Sequence, residues 1–318
     1  MLKDPVSDNV IFDTNKRSLI FSDKYIEIGM TLPTQVLFGL GQHNAKFLLT
    51  EGIWTMFNRD QPGSPVATGK GDEQLYGTHP FLMGQTADNK FFGLLFYNSN
   101  AQQVKIRYSP SGKSLINYVT VGGVLDVYYF MPDSADNIIR KYNSLIGMPV
   151  LPPFWALGFQ QSSWDYSSLQ TLKDVVVNYT ANGYMFDVIW ADIHYMDKYI
   201  DFTVDDVNYK GLGDWVDQLH KQSIRFVPII DAGISLNKST AGDNWYEIGR
   251  DMDVFIKSTK NPTKKDGNLV GVVWPGYTSF VDFLSDKSFD FWKKGLDTLY
   301  TLVKFDGIWL DMNEPSNF

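Results

Sequence analysis

Gly307-Ile308-Trp309-Leu310-Asp311-Met312-Asn313-Glu314-Pro315-Ser316-Asn317-Phe318 is the stretch on which the reading of this chain turns. Residues 307–310 form an apolar run of strand length that stops at Asp311, and a second carboxylate, Glu314, follows three residues later. The same design recurs upstream. The strand-length stretch 187–191 runs apolar after Asp187 into Asp192, and 225–230 runs apolar after Arg225 into Asp231. Helical patterns lie between them at 169–181, where Asn182-Gly183 supplies a C-cap, and at 213–222 and 288–303. Residues 156–160 are expected as a first short strand. Strands apolar on both faces, alternating with helices, predict a parallel sheet covered by helices. In such folds the carboxyl ends of the strands form the ligand-binding edge. Any one strand-end aspartate also serves as a helix N-cap or turn former. Three on successive strands set an acidic rim along one edge.

Working outward, residues 1–132 carry no helical periodicity. Segments 18–21, 25–31, 91–97, 103–108, 115–121 and 124–131 are rich in aromatic and β-branched residues, and Gly, Asn, Asp and Pro separate them. They predict an antiparallel β-sandwich. Residues 133–153 read as a helical, proline-rich connector: an amphipathic helix at 134–146 with Asp133 or Ser134 as N-cap, then Pro149, Pro152 and Pro153. Residues 154–318 hold the β/α pattern, with an excursion from about 240 to 285 that contains the run 270–274. The run 270–273 also fits a barrel strand, which would make 307–310 the fifth, but the fourth is the place expected for it.

Composition narrows the partner. With 318 residues, 44% hydrophobic and 15% aromatic, the chain can bury a sizeable core over two domains. A formal net charge of -8 with no Lys/Arg run argues against nucleic acid. The absence of cysteine excludes disulfides and thiolate chemistry, and four histidines without metal-ligand spacing leave no zinc site, so no metal or cofactor is expected. No run is long and apolar enough to span a bilayer, and residues 1–30 lack a signal-peptide pattern. The sequons Asn178-Tyr179-Thr180 and Asn237-Lys238-Ser239 would accept glycans in a secreted protein.

An acidic rim without His, Cys or a phosphate loop suits carboxylate chemistry on a sugar. Glycoside hydrolysis needs one carboxylate to meet an oxocarbenium-like carbon and one carboxylic acid to protonate the leaving oxygen. Asp311, short and held at a strand end, is the candidate nucleophile, and Glu314 is placed to tune it through like-charge coupling. Asn313-Glu314-Pro315 equally reads as the start of a turn.

The eight residues from Trp309 to Ser316 resemble the nucleophile signature of glycoside hydrolase family 31, the α-glucosidase and sucrase–maltase group. Trp190-Ala191-Asp192-Ile193-His194-Tyr195-Met196 resembles that family's second strand end, Asp231-Ala232-Gly233-Ile234-Ser235 its third, and Val273-Trp274-Pro275-Gly276 the loop that follows. Phe38-Gly39-Leu40-Gly41-Gln42 and Leu75-Tyr76-Gly77-Thr78-His79-Pro80 are similar to its sandwich, so the resemblance runs along nearly the whole chain. It implies an N-terminal sandwich followed by the first half of a (β/α)8 barrel, and a retaining mechanism with a covalent glycosyl-enzyme on Asp311. It further implies that Asp192 binds sugar hydroxyls in the -1 pocket, with Asp231 on the same rim. Ile193, Ile234, Trp274, Trp309 and Met312 would wall that pocket; without the resemblance, ordinary core packing explains these five as well. Asp60 matches a sandwich loop on the leaving-group side, though by itself it is a turn residue before Pro62-Gly63. Tyr166 would line the pocket, with Trp164 an equal candidate. His194 stands where many family members carry Asp and is expected to support the site without acting as the acid.

The expected partner is an α-glucoside or α-glucan oligosaccharide. The family's acid/base aspartate lies downstream of the nucleophile signature, so the resemblance implies a fragment that lacks it. A (β/α)8 barrel takes about 250 residues. An open half-barrel would leave an apolar edge strand unpaired, so the chain alone is expected to be poorly stable and inactive. A non-catalytic carbohydrate-binding protein is the alternative from another class. An α-xylosidase, a transglycosylase or a glucan lyase would keep the fold and change the chemistry. Secretory, lysosomal or extracellular use is what the resemblance implies.

Overall fold

The computed structural model describes residues 1–3, 8, 10–15, 17–58, 73–240, 242–263 and 266–318. The chain divides into two compact units, Met1–Val150 and Leu151–Phe318.

The first unit is built from two antiparallel sheets. Its main strands are β1 (Leu19–Ser22), β2 (Tyr25–Leu32), β3 (Leu37–Gly39), β4 (Gly52–Met56), β5 (Phe81–Gln85), β6 (Phe91–Phe96), β7 (Gln102–Tyr108), β8 (Ser114–Thr120) and β9 (Val127–Asp133). One sheet has the order β9-β6-β5-β3 and the other β1-β2-β8-β7-β4. Along β8 buried and half-buried residues alternate strictly, the mark of a strand with one face on a core. Trp54, Phe92, Phe96 and Tyr118 fill that core, and Phe96 stacks on Tyr118 across the two sheets at 4.3 Å between ring centroids. Gly84, opposite Phe92 in the ladder, leaves room for its ring: a Cβ there would lie 2.2 Å from Phe92 Cζ. Helix α1 (Ala135–Ile146) is capped by Ser134, whose hydroxyl accepts from Asn137 N–H at 3.3 Å. Asp133 holds the same end together, bonding Ser134 N–H and pairing with Lys141 at 2.9 Å.

In the second unit, β10 (Gln160–Gln161), β11 (Val188–Ala191), β12 (Arg225–Asp231) and β16 (Trp309–Asp311) form a parallel sheet in that order. Helices α2 (Leu169–Ala181), α3 (Leu212–Lys221), α4 (Trp245–Asp251) and α5 (Lys287–Leu302) complete the unit. Leu172, Val176, Trp215, Val216, Leu219, Phe291 and Leu299 pack with Ile189, Phe226 and Ile230 of the sheet in one core. Ser168 caps α2, accepting from Thr171 N–H at 3.2 Å. At the opposite end of the strands from the acidic rim, Asp306 accepts from Phe226 N–H at 2.9 Å, His220 Nε2 at 2.8 Å and Arg225 Nη1 at 3.1 Å. It thereby ties α3 and β12 to the lead-in of β16.

One expectation is corrected and one alternative falls away. The first parallel strand is not 156–160: Phe154–Leu157 is a 3-10 helix, and pairing begins only at Gln160 opposite Val188. Pro152 and Pro153 fix φ at helical values and lead into a turn, not a strand. The chain then closes on Asp187, which accepts from Phe159 N–H at 2.9 Å. The run 270–274 is not a barrel strand. Its core, β14 (Gly271–Val273), pairs with β15 (Gly276–Phe280), which also pairs with β13 (Gly233–Ser235), in a separate antiparallel sheet. Strand β16 therefore follows β12 directly as the fourth parallel strand.

Candidate active site

Register and alternation place the rim carboxylates. In the parallel sheet Trp190 lies beside Val227, Ile229 beside Trp309 and Asp231 beside Asp311. The backbone stays extended at Asp192 (φ -77, ψ 177), so Asp192 shares a face with Trp190. Side chains alternate along each strand, so Trp190 and Asp192, Ile229 and Asp231, and Trp309 and Asp311 all project from the same face. On that face Trp190 meets Trp309 edge-on at 5.8 Å, and Trp190 Nε1–H donates to Gln160 Oε1 at 2.9 Å. A cavity of about 320 Å³ lies among Gln160, Gln161, Ser162, Trp190 and Trp309.

The three carboxyl groups differ in environment. Asp311 is exposed, whereas Asp192 is 7% and Asp231 3% exposed. Asp192 caps a short 3-10 helix, accepting from Ile193 N–H at 2.7 Å. Burial raises its pKa and the Asp311 charge adds to this, while the Ile193 N–H and His194 oppose the rise. Asp231 is pushed up to about 7, by burial first and then by the charges of Asp311 and Asp192. Its Oδ1 is buried without a hydrogen-bond partner.

Beneath it lies a carboxyl that the sequence reading missed. Asp201, 2% exposed, accepts from Asp231 N–H at 3.0 Å through one oxygen, and its other oxygen is buried without a partner. Burial, then the Asp231 charge, raise its pKa well above the usual carboxylate range. Fully buried Tyr195 donates to Ile229 O at 2.8 Å, under the same strand end. In sequence Asp201 is one acid within Tyr199-Ile200-Asp201-Phe202, and its only signal is a charge flanked by apolar residues.

The remaining expected residues separate into groups. Trp274, 39% exposed, has Trp164 at 5.1 Å and Phe318 at 5.0 Å, and Trp164 in turn meets His194 at 4.6 Å. Tyr166 is buried beneath, its hydroxyl accepting from Gln161 Nε2 at 2.8 Å, so Trp164 and not Tyr166 stands next to Trp274. Ile193 and Ile234 are each 1% exposed and belong to the core. Met312 packs on the Ala232, Val273 and Phe280 cluster with a left-handed backbone (φ 61). That conformation is held by Ser316 N–H donating to Met312 O at 3.1 Å and by Phe318 N–H donating to Val272 O at 2.9 Å. Glu314 is half-buried on the same anchored segment. Asp60 lies outside the described residues. His194 carries a buried Nδ1 without a partner and faces a cavity of about 930 Å³ shared with Tyr199 and Trp274. Among the described residues no group of three or more His, Asp or Glu is disposed to hold a metal ion.

Residues 149–318 match the family model "Glycosyl hydrolases family 31 TIM-barrel domain", and residues 7–104 match "Glycosyl hydrolase 31 N-terminal galactose mutarotase-like domain". Intestinal sucrase-isomaltase of Oryctolagus cuniculus is 35% identical over 318 residues, which cover 98% of this chain and 17% of that protein. Lysosomal alpha-glucosidase of Mus musculus is 35% identical over 313 residues, covering 97% of this chain and 31% of the relative. The glucosidase II alpha subunit solved with Glc1Man2 bound superposes with a TM-score of 0.82 at 26% identity, covering 92% of this chain and 33% of that one. The chain thus spans between about a sixth and a third of the length of these relatives.

Proposed function

Because the chain belongs to glycosyl hydrolase family 31, we propose that it serves the hydrolysis of α-glucosides by a retaining mechanism in which Asp311 is the nucleophile. The observation that carries this reading is the shared register of Asp231 and Asp311 on one sheet face, with Asp311 alone of the three rim carboxyls exposed. An Asp311 oxygen bonds the anomeric carbon as the glycosidic C–O bond breaks, and the leaving oxygen takes a proton from an acid. Water then cleaves the glycosyl ester and restores the carboxylate.

Asp192 has one oxygen on the Ile193 N–H and a second to accept from sugar hydroxyls. A buried acceptor of this kind discriminates against an epimer, which leaves it unpaired. Trp309 and Trp274 offer apolar ring faces to the sugar, and Met312 flanks the nucleophile. With its pKa pushed up to about 7, Asp231 is protonated below that pH and there places no full charge beside Asp311. Glu314 tunes the nucleophile from the segment that follows it. Asp231 is too buried to protonate a leaving group, so the described residues leave the acid's role unfilled. These residues alone are therefore not expected to hydrolyse an unactivated glucoside. The reading of a binding protein without catalysis draws on that same unfilled role, and Asp311, which such a protein would not need, weighs against it.

Relatives named lysosomal and intestinal support use in a secretory or extracellular compartment. Among the described residues no helix is long and apolar enough to cross a membrane.

The test compares two substrates. An alkyl α-glucoside needs leaving-group protonation, commonly a factor of about 10²–10⁴, whereas an α-glucosyl fluoride needs little. The chain should release fluoride from the second and leave the first intact, and Asp311→Asn should lose the fluoride release. Fluoride release by Asp311→Asn at the unsubstituted rate would exclude Asp311 as nucleophile.

A further inference from the structure

A cavity of about 630 Å³ lies wholly within the first unit, between the end of β6, the loops 97–102 and 122–126, and α1. That size suits a small organic ligand. One side chain, Asn98, braces two of its loops. Asn98 Nδ2 donates to Gly122 O and Val124 O, both at 2.9 Å, while its Oδ1 accepts from Asn100 N at 2.8 Å and Asn100 Nδ2 at 3.0 Å. Gln102 Nε2 donates to Asn98 O at 2.7 Å, which locks the loop onto β7. Gly123, at φ +79, permits the close approach, since a Cβ there would meet Asn100 Nδ2 at 2.6 Å. Two loops are therefore fixed against each other before any ligand arrives, which removes an ordering cost from binding.

The surface these loops present has one chemistry. Tyr97 is 59% exposed, braced edge-on by Tyr128 at 6.1 Å, and the Tyr142 ring forms another part of the wall. The same lining includes Asn100, Ser99, Thr78 and Asp126, which bring an amide, two hydroxyls and a carboxylate to the cavity. Among the described lining residues none is Lys, Arg or His, so a phosphate or carboxylate ligand would meet a carboxylate and no counter-charge. Ring faces flanked by amide, hydroxyl and carboxylate groups match a neutral polyhydroxylated ring, which has apolar C–H faces and hydroxyl edges. The geometry points to a second saccharide site, in the sandwich unit and independent of Asp311, that takes a short neutral oligosaccharide with Tyr97 as its stacking platform.

The experiment is a titration of the 15N-labelled 318-residue chain with maltotriose, followed by amide shifts. Saturable shifts are expected at Asn98, Asn100 and Gly123. Tyr97→Ala and Asn100→Ala should each weaken that response about tenfold, the loss expected for one stacking ring or one amide contact. Asp192→Asn should leave it unchanged, and thermal melts of the variants show whether the fold survives. If Tyr97→Ala does not fold, Asn100→Ala carries the test. Absence of saturable shifts at these amides would overturn the proposal, as would an equal response to tetramethylammonium, a cation without hydroxyls. Shifts at the Asp192–Asp311 rim report on the glycosidase reading separately: their absence beside an intact sandwich response would count against that reading alone.

Discussion

Replacing Asp231 by asparagine removes a proton-binding site that the fold holds at 3% exposure, and the structure fixes the sign of the consequence. The native carboxyl is pushed up to about 7 from 3.8, so the folded chain holds this proton more tightly than the unfolded one. Below the unfolded value both states are protonated and the group's contribution to stability is fully present. As pH rises towards about 7 the unfolded state loses its proton first, and stability falls. About three pH units at about 1.36 kcal/mol each give a loss of up to about 4 kcal/mol by about pH 8. Asp201 adds to it with the same sign, since burial raises its pKa too. The amide side chain would keep the shape of the carboxyl, and the backbone N–H would still donate to Asp201, while the titration is removed. Urea unfolding at a series of pH values should therefore show native stability falling between about pH 4 and pH 8, and Asp231→Asn should flatten the fall and be the more stable protein at the alkaline end. Native stability independent of pH across that window, or an Asp231→Asn protein weaker than native at about pH 8, would refute the reasoning.

Other perturbations act on separate parts of the fold. Asp306→Ala leaves Phe226 N–H, His220 and Arg225 without their common acceptor, a loss of about 2–4 kcal/mol readable in the urea midpoint. Gly84→Ala drives a methyl into the Phe92 ring and should cost about 1–3 kcal/mol by the same measurement. Tyr195→Phe strips Ile229 O of its buried donor, for a loss of about 1–3 kcal/mol, and should change sugar binding at the rim less than Asp192→Asn does.

The second unit was legible where chemistry is local. Helix α2 runs over 169–181 as its cap residues Ser168 and Asn182 dictate, and the apolar runs of β11 and β12 mark strands buried within the helix-covered sheet. The rim carboxylates were legible because a polar residue at the end of such a strand interrupts an otherwise apolar pattern. Residues 156–160 misled because a short apolar run cannot be told from a turn of helix by periodicity, and the two prolines decided it. In the sandwich, β3, β4 and β5 escaped notice because each is no more than five residues long and also contains a glycine, which weakens so short a strand signal while serving a close approach such as Gly84 to Phe92. Asp201 carried only the weak signal of a charge flanked by apolar residues. Its burial exists only because the loop after β11 folds under the end of β12, a contact between residues about thirty positions apart.

The central claim is that Asp311 forms the bond to sugar. Incubating the protein with 5-fluoro-α-glucosyl fluoride, whose fluoride leaves readily and whose ring fluorine slows release of the ester, traps that bond for peptide mass spectrometry. One fluoroglucosyl group is expected, carried on Asp311 and absent from Asp311→Asn. An adduct on Asp192, Asp231 or Glu314, or an unmodified Asp311 peptide after prolonged exposure, would contradict it.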